Sequence, residues 1–272
     1  MIVVALLLVA LVLAGPAPRV LARADGLREV PRAGLVLWQS TSLAAVVAGL
    51  AAGPMFRAGT NLLSGHPALR TVAAWLGLAL SLVTLGLLLT SGHRTGTRLR
   101  RLRRRHRQLL DVIALEPQTV GAQRLRVLEH PMPTAYCVPG LRQRVVLSQG
   151  TIDALDADEL LAVLAHERAH LRARHDLVLE FFTVLHTAVP RRLRSEAGLA
   201  EVNLLVELLA DRWAARQAGA EPLARALVEL ANAERPDAAL GVGGSATLVR
   251  LDLLAVAHPR RARAFVTYVA AA

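Results

Sequence analysis

Two stretches of this chain carry no charged residue: 33–56 and 71–92. Each exceeds the roughly 20 residues a helix needs to cross a hydrocarbon core about 30 Å thick. Both predict transmembrane helices. Residues 2–22 form a third apolar stretch, interrupted by Gly15-Pro16-Ala17-Pro18 and by Arg19. The long stem of that arginine lets its charge reach the interface. A secretory signal peptide opens on a basic segment, whereas this chain opens Met1-Ile2-Val3-Val4, so the stretch reads as a retained first helix. After residue 93 the pattern changes. Arg124 to Glu129 alternates like a strand, and so do residues 134–138 and 144–148, with Pro139-Gly140 turning between the last two. Helical patterns follow, including an apolar run from Leu204 to Ala214 and another after Asp176 that is too short to cross a bilayer. The expected fold is mainly α: N-terminal transmembrane helices, then an α+β domain with a small sheet.

Composition removes other classes. Of 272 residues, 54% are hydrophobic, which excludes a disordered chain, and the single cysteine, Cys137, excludes a disulfide scaffold. Cys137 itself reads as a small buried hydrophobe on a strand. The mean hydropathy of +0.41 is too high for an ordinary soluble domain.

The net charge of +11 sets orientation. Arg19, Arg23, Arg28 and Arg32 follow the first apolar stretch, Arg57 and Arg70 follow the second, and eight arginines fill 94–107 after the third. The positive-inside rule then puts the N-terminus outside and everything after residue 93 in the cytoplasm. The expected organisation is a membrane domain over 1–93, a polybasic juxtamembrane helix over 94–107, and a cytoplasmic domain over 108–272. The arginine run has no aromatic residue to stack on a base. Anionic membrane lipid is therefore its expected partner, with no direct contact to nucleic acid.

The chemistry centres on His166-Glu167-Arg168-Ala169-His170. Asp156-Ala157-Asp158-Glu159 has the form of a capping box opening the helix that carries it. Four residues apart, His166 and His170 share one helical face and can bind zinc. Glu167 then stands beside the metal and can act as general base toward a water that the ion acidifies. A catalytic zinc needs a third protein ligand. Asp176 lies six residues beyond His170, but Ala173 stands where that arrangement needs a glycine, and no methionine follows Met132. Glu207, in the later apolar run, is the better candidate. Asp211 lies one turn on and can hold a ligating histidine by its other ring nitrogen. Gly241-Val242-Gly243-Gly244-Ser245 lacks the lysine and preceding strand of a phosphate loop and reads as a flexible loop. His175 and His186 read as polar neighbours of a core.

These motifs resemble those of gluzincin-type metalloproteases. With three preceding membrane helices and the Pro133-x-Ala135-Tyr136-x-x-Pro139-Gly140 segment, the chain resembles the BlaR/MecR-type membrane metallopeptidases. HtpX-like and C-a-a-X prenyl proteases share the zinc arrangement. The resemblance implies a zincin-like domain with zinc (Zn2+) on His166, His170 and Glu207, Glu167 as base, and Asp211 supporting a ligand. It also implies that Ala135, Tyr136, Cys137 and Val138 form an edge strand binding extended substrate through main-chain hydrogen bonds. Tyr136 or an arginine then stabilises the oxyanion. The implied function is regulatory cleavage, in signal transduction, of a cytoplasmic protein such as a winged-helix repressor. Quality control of membrane proteins is the alternative, and a non-catalytic basic membrane anchor is the alternative of another class. The sequence departs from that family in its short outer loop, 57–70, and in a C-terminal segment, 264–272, too short to be a fourth crossing.

Overall fold

The computed structural model describes residues 2–58, 67–113, 118–120, 123–140, 143–233 and 242–256. In chain order the elements are α1 (Ile2–Ala14), α2 (Pro16–Leu21), α3 (Gly26–Glu29), α4 (Pro31–Ala58), α5 (Pro67–Ile113), β1 (Gln118–Val120), β2 (Gln123–Leu128), β3 (Ala135–Val138), β4 (Arg144–Ser148), α6 (Gln149–Ala154), α7 (Ala157–Arg172), α8 (His175–Ala188), α9 (Glu196–Ala218), α10 (Ala220–Ala233) and α11 (Val242–Val256). They form two compact units. One comprises Met1–Leu99 with Leu179–Leu205, the other Arg100–Val178 with Val206–Ala272.

In the first unit the apolar stretch 2–22 is two helices, not one. Pro16 has no N–H to give, and its ring would collide with the carbonyl four residues back. The helix therefore stops at Ala14 and restarts with Pro16 at its N-terminus. Arg19 turns back on this break and donates to the Gly15 carbonyl at 3.0 Å. The two charge-free runs lie in α4 and α5. Each of these helices is long and apolar enough to cross a membrane. Small residues let their backbones approach closely. A Cβ on Gly53 would stand 2.8 Å from the Gly77 carbonyl oxygen. Ser81 accepts from Gly53 N–H and donates to the Leu50 carbonyl, both at 3.0 Å. Only 11% of the most apolar window of α5 is buried within the protein, whereas the core helix of a soluble protein is mostly buried. Trp75, Leu76 and Leu89 point outward from it. Such a surface points to membrane association. The arginine run continues α5 without a break, and no proline interrupts it.

The second unit is built on a four-stranded sheet of order β1-β2-β4-β3. β2 and β4 are parallel, and the other pairs are antiparallel. Every residue of β4, which pairs on both sides, is buried. Gly140, at φ +146, follows β3 in a conformation that glycine alone adopts without strain. One sheet face, with Leu125, Val127, Val145 and Leu147, packs on Val163 and Leu164 of α7. On the opposite face Val138 and Val146 cover Leu110 of α5. Ala162 and Ala165 of α7, Ala214 of α9, Leu223 of α10 and Leu251 and Leu254 of α11 form a further core. The expected loop at 241–245 differs: Val242–Ser245 are the first turn of α11, while Gly241 and the segment 264–272 lie outside the described residues. The glycines weaken that turn, and burial of Leu251 and Leu254 secures the helix beyond it.

Candidate metal centre

The helix carrying the two histidines begins as its sequence dictates. Asp156 accepts from Glu159 N–H at 2.8 Å, and Glu159 accepts from Asp156 N–H at 3.0 Å, closing the capping box. From that start Ala162, Val163, Leu164 and Ala165 are buried, and His166 follows them, 8% exposed. On α9, Leu204, Leu205, Val206, Leu208 and Ala210 are buried. Polar groups set among them need partners, because an unpaired buried charge is costly.

Those partners converge. His166 Nε2 lies 3.1 Å from His170 Nε2 and 3.3 Å from Glu207 Oε2, and His170 Nε2 lies 3.5 Å from Glu207 Oε1. Ligand atoms about 2.1 Å from a tetrahedral zinc stand about 3.4 Å apart. The spacings found here therefore suit one such ion, and two imidazoles with a carboxylate are a donor set that zinc accepts. One ligand atom from each of His166, His170 and Glu207 lies within 4.8 Å of the other two.

Around this trio stand three further groups. Asp211 is 1% exposed, and its Oδ1 lies 2.9 Å from His166 Nδ1. That contact is close but not aligned: the buried Nδ1 makes no hydrogen bond of good geometry. Arg250 of α11 donates to both Asp211 oxygens at 2.7 Å and approaches Glu207 Oε2 at 3.3 Å. His175 is 5% exposed and places its Nδ1 3.1 Å from His170 Nδ1. Arg174, at φ +52, makes the left-handed turn between α7 and α8 that precedes it. Asp176, rejected as a ligand from the sequence, instead meets Arg174 and Arg103.

The charges follow from these contacts. Burial pulls the His166 imidazolium down, but the adjacent carboxylates of Asp211 and then Glu207 outweigh it and raise the group to about 9. Burial pushes the carboxyls of Glu207 and Asp211 up. His166 and His170 reverse this at Glu207, and Arg250 with His166 reverses it at Asp211, so both end below the ordinary carboxylate range. Burial, with the neighbouring His170, lowers His175 to about 4, so it is neutral near pH 7.

β3 is an edge strand over the expected residues, Ala135–Val138. Ala135 and Cys137 face the core on α7. Burial raises the Cys137 thiol, and the adjacent Glu167 carboxylate, to which it donates, raises it further. Glu167, next to His166 on α7, thus acts on Cys137 of β3, and its charge also reaches Arg250. Tyr136 faces differently from its strand neighbours. Strand alternation turns its side chain to the opposite face with Leu110 and Val146, and its hydroxyl lies 3.0 Å from His106 Nε2. The phenol thus lies on the sheet face opposite Ala135 and Cys137. Sequence reasoning missed two residues. Arg250 carries no local signal, and His175 reads from the sequence as a polar neighbour of a core. The latter had a local signal, a histidine five residues beyond His170.

With this geometry established, comparison with known proteins gives three findings. The sequence profile of Peptidase family M48 matches residues 97–266. The "Plastoglobule-localized metallopeptidase 48, chloroplastic" of Arabidopsis thaliana is 37% identical over 76 residues, 27% of this chain, and this chain spans only 22% of that protein. The crystal structure of S. mikatae Ste24p aligns over 81% of this chain and 66% of its own, at 16% identity and a TM-score of 0.39.

Proposed function

The chain belongs to Peptidase family M48, and from that premise we propose that it is a membrane-anchored zinc endopeptidase whose ion is held by His166, His170 and Glu207. The family makes it a metallopeptidase, a hydrolase acting on protein or peptide. It does not carry the narrower BlaR/MecR-type kinship expected from the sequence. The observation that supports the metal assignment most strongly is the convergence of three side chains whose ligand atoms approach to 3.1, 3.3 and 3.5 Å.

When bound there, zinc supplies Lewis acidity and makes water a better acid. The chain's own groups do the rest. Glu167 takes the proton of the attacking water and returns it to the leaving amine. The exposed edge of β3 pairs with an extended substrate backbone and lays its carbonyl across the site. Asp211 orients His166, and Arg250 balances the Asp211 charge. The proposed placement of the catalytic unit is cytoplasmic, since the eight arginines of 94–107 follow the charge-free run of α5 within the same helix and favour the inner leaflet.

The finer role we propose is regulatory: limited cleavage of a cytoplasmic protein, with a winged-helix repressor as the candidate suggested by the sequence resemblance. Quality control of membrane proteins would show instead as broad degradation of unfolded membrane substrates. The test is full-length protein in liposomes incubated with a peptide library and with an unfolded membrane protein, products being read by mass spectrometry. Glu167→Gln should retain zinc and lose about 10²–10⁴-fold in rate. Undiminished cleavage by that variant would refute the assignment. Discrete sites support regulation; indiscriminate fragments support quality control.

A further inference from the structure

Resting on the zinc peptidase reading above, we propose that His175 is a positioning residue. Its Nδ1 accepts the Nδ1–H of His170 and so fixes the tautomer in which His170 Nε2 turns a lone pair toward His166 and Glu207.

A neutral imidazole has one donor nitrogen and one acceptor. The two Nδ1 atoms stand 3.1 Å apart, so one carries the proton and the other receives it. The rings meet nearly at right angles, 87°, with centroids 4.8 Å apart. The proton has two possible homes. If His175 held it, His170 would be protonated on Nε2, aiming an N–H at the centre of the ligand trio. If His170 holds it, Nε2 is left free to bind a cation. Only the second arrangement makes His170 a ligand.

The fold provides for this contact. α7 ends at Arg172, the left-handed Arg174 reverses the chain, and His175 becomes the first residue of α8, buried against the ring of His170. The other ligand histidine is served differently: His166 Nδ1 faces the Asp211 carboxylate, whose charge needs Arg250. An imidazole does the same orienting work at His170 without adding a second buried charge that would need its own cation.

Two substitutions separate orientation from packing. Asn Oδ1 occupies nearly the place of His Nδ1, so His175→Asn keeps the acceptor; His175→Leu keeps a buried side chain and removes it. With full-length protein in detergent, zinc affinity is measured by competition with a chromophoric chelator, and the His170 tautomer of metal-free protein by ¹⁵N NMR of labelled histidine. We expect His175→Leu to weaken zinc about 10–100-fold, with His175→Asn close to the parent. In the parent, His170 should be protonated on Nδ1. Equal losses in the two variants, no loss in His175→Leu, or a parent His170 protonated on Nε2 would each overturn the proposal. A parent chain that binds no zinc would instead bring down the metal centre itself, and this proposal with it.

Discussion

Arg250 and Arg225 each reach more than one carboxylate, yet their removal should have very different consequences. Arg225 meets Glu159, Glu221 and Asp156 at 2.9, 3.3 and 3.5 Å, and its side chain is 35% exposed. Arg250 meets Asp211 twice at 2.7 Å and Glu207 at 3.3 Å, and the side chains of Arg250 and Asp211 are 13% and 2% exposed. Exposed ion pairs are screened and contribute about 0–1 kcal/mol each. Removing one member of a buried pair strands the other charge and costs about 3–5 kcal/mol. At about 2–4 °C per kcal/mol for a chain somewhat above 150–250 residues, Arg250→Ala should lower the melting temperature of chelator-treated protein by about 6–20 °C. Arg225→Ala, losing three such pairs worth together at most about 3 kcal/mol, should lower it by less, at most about 12 °C. Trp213 lies on α9 two residues beyond Asp211 and packs in the core with α10 and α11, so its fluorescence reports this region directly. Asp211→Asn in the Arg250→Ala background should recover part of the loss, because it removes the stranded charge. Equal melting temperatures for the two arginine variants would refute the reasoning, since burial would then not govern the cost of these contacts.

Two further outcomes follow from the same contacts. Asp211→Asn should weaken zinc about 10–100-fold in a chelator competition, because His166 loses the carboxylate beside its outer nitrogen; unchanged affinity would deny Asp211 that role. The pH response should have opposite signs with and without metal. Folding raises the His166 pKa to about 9, so the stability this gives metal-free protein is complete below its unfolded value and lost as pH rises through about 9. Zinc must displace that proton, so its affinity should climb with pH over the same window, by up to about tenfold per unit. An affinity that is flat between those limits would contradict this.

Signals confined to a few neighbouring residues were readable from sequence. The capping box, the four-residue histidine spacing and the charge-free runs each depend on one helix, and all three appear in the structure. Glu207 and Asp211 were found because a carboxylate within an apolar helix needs a partner wherever that helix packs. Other features depend on contacts between distant segments. Among 32 arginines, nothing marks Arg250 until α11 lies against α9. His175 has a local signal in its spacing from His170, but its contact with that ring depends on the left-handed turn at Arg174, a conformation unusual for arginine. The face presented by Tyr136 was fixed by the register of β3 on β4, where it pairs with Val146. The break between α1 and α2 was written in Gly15-Pro16, but apolar continuity concealed it.

The most direct test of the metal centre is the zinc content and X-ray absorption spectrum of the purified full-length protein. The account predicts one zinc per chain with two imidazole nitrogens and oxygen ligands, and its loss from Glu207→Ala with the fold retained. Zinc that persists in that variant with the same spectrum, or a spectrum requiring sulfur, would contradict it.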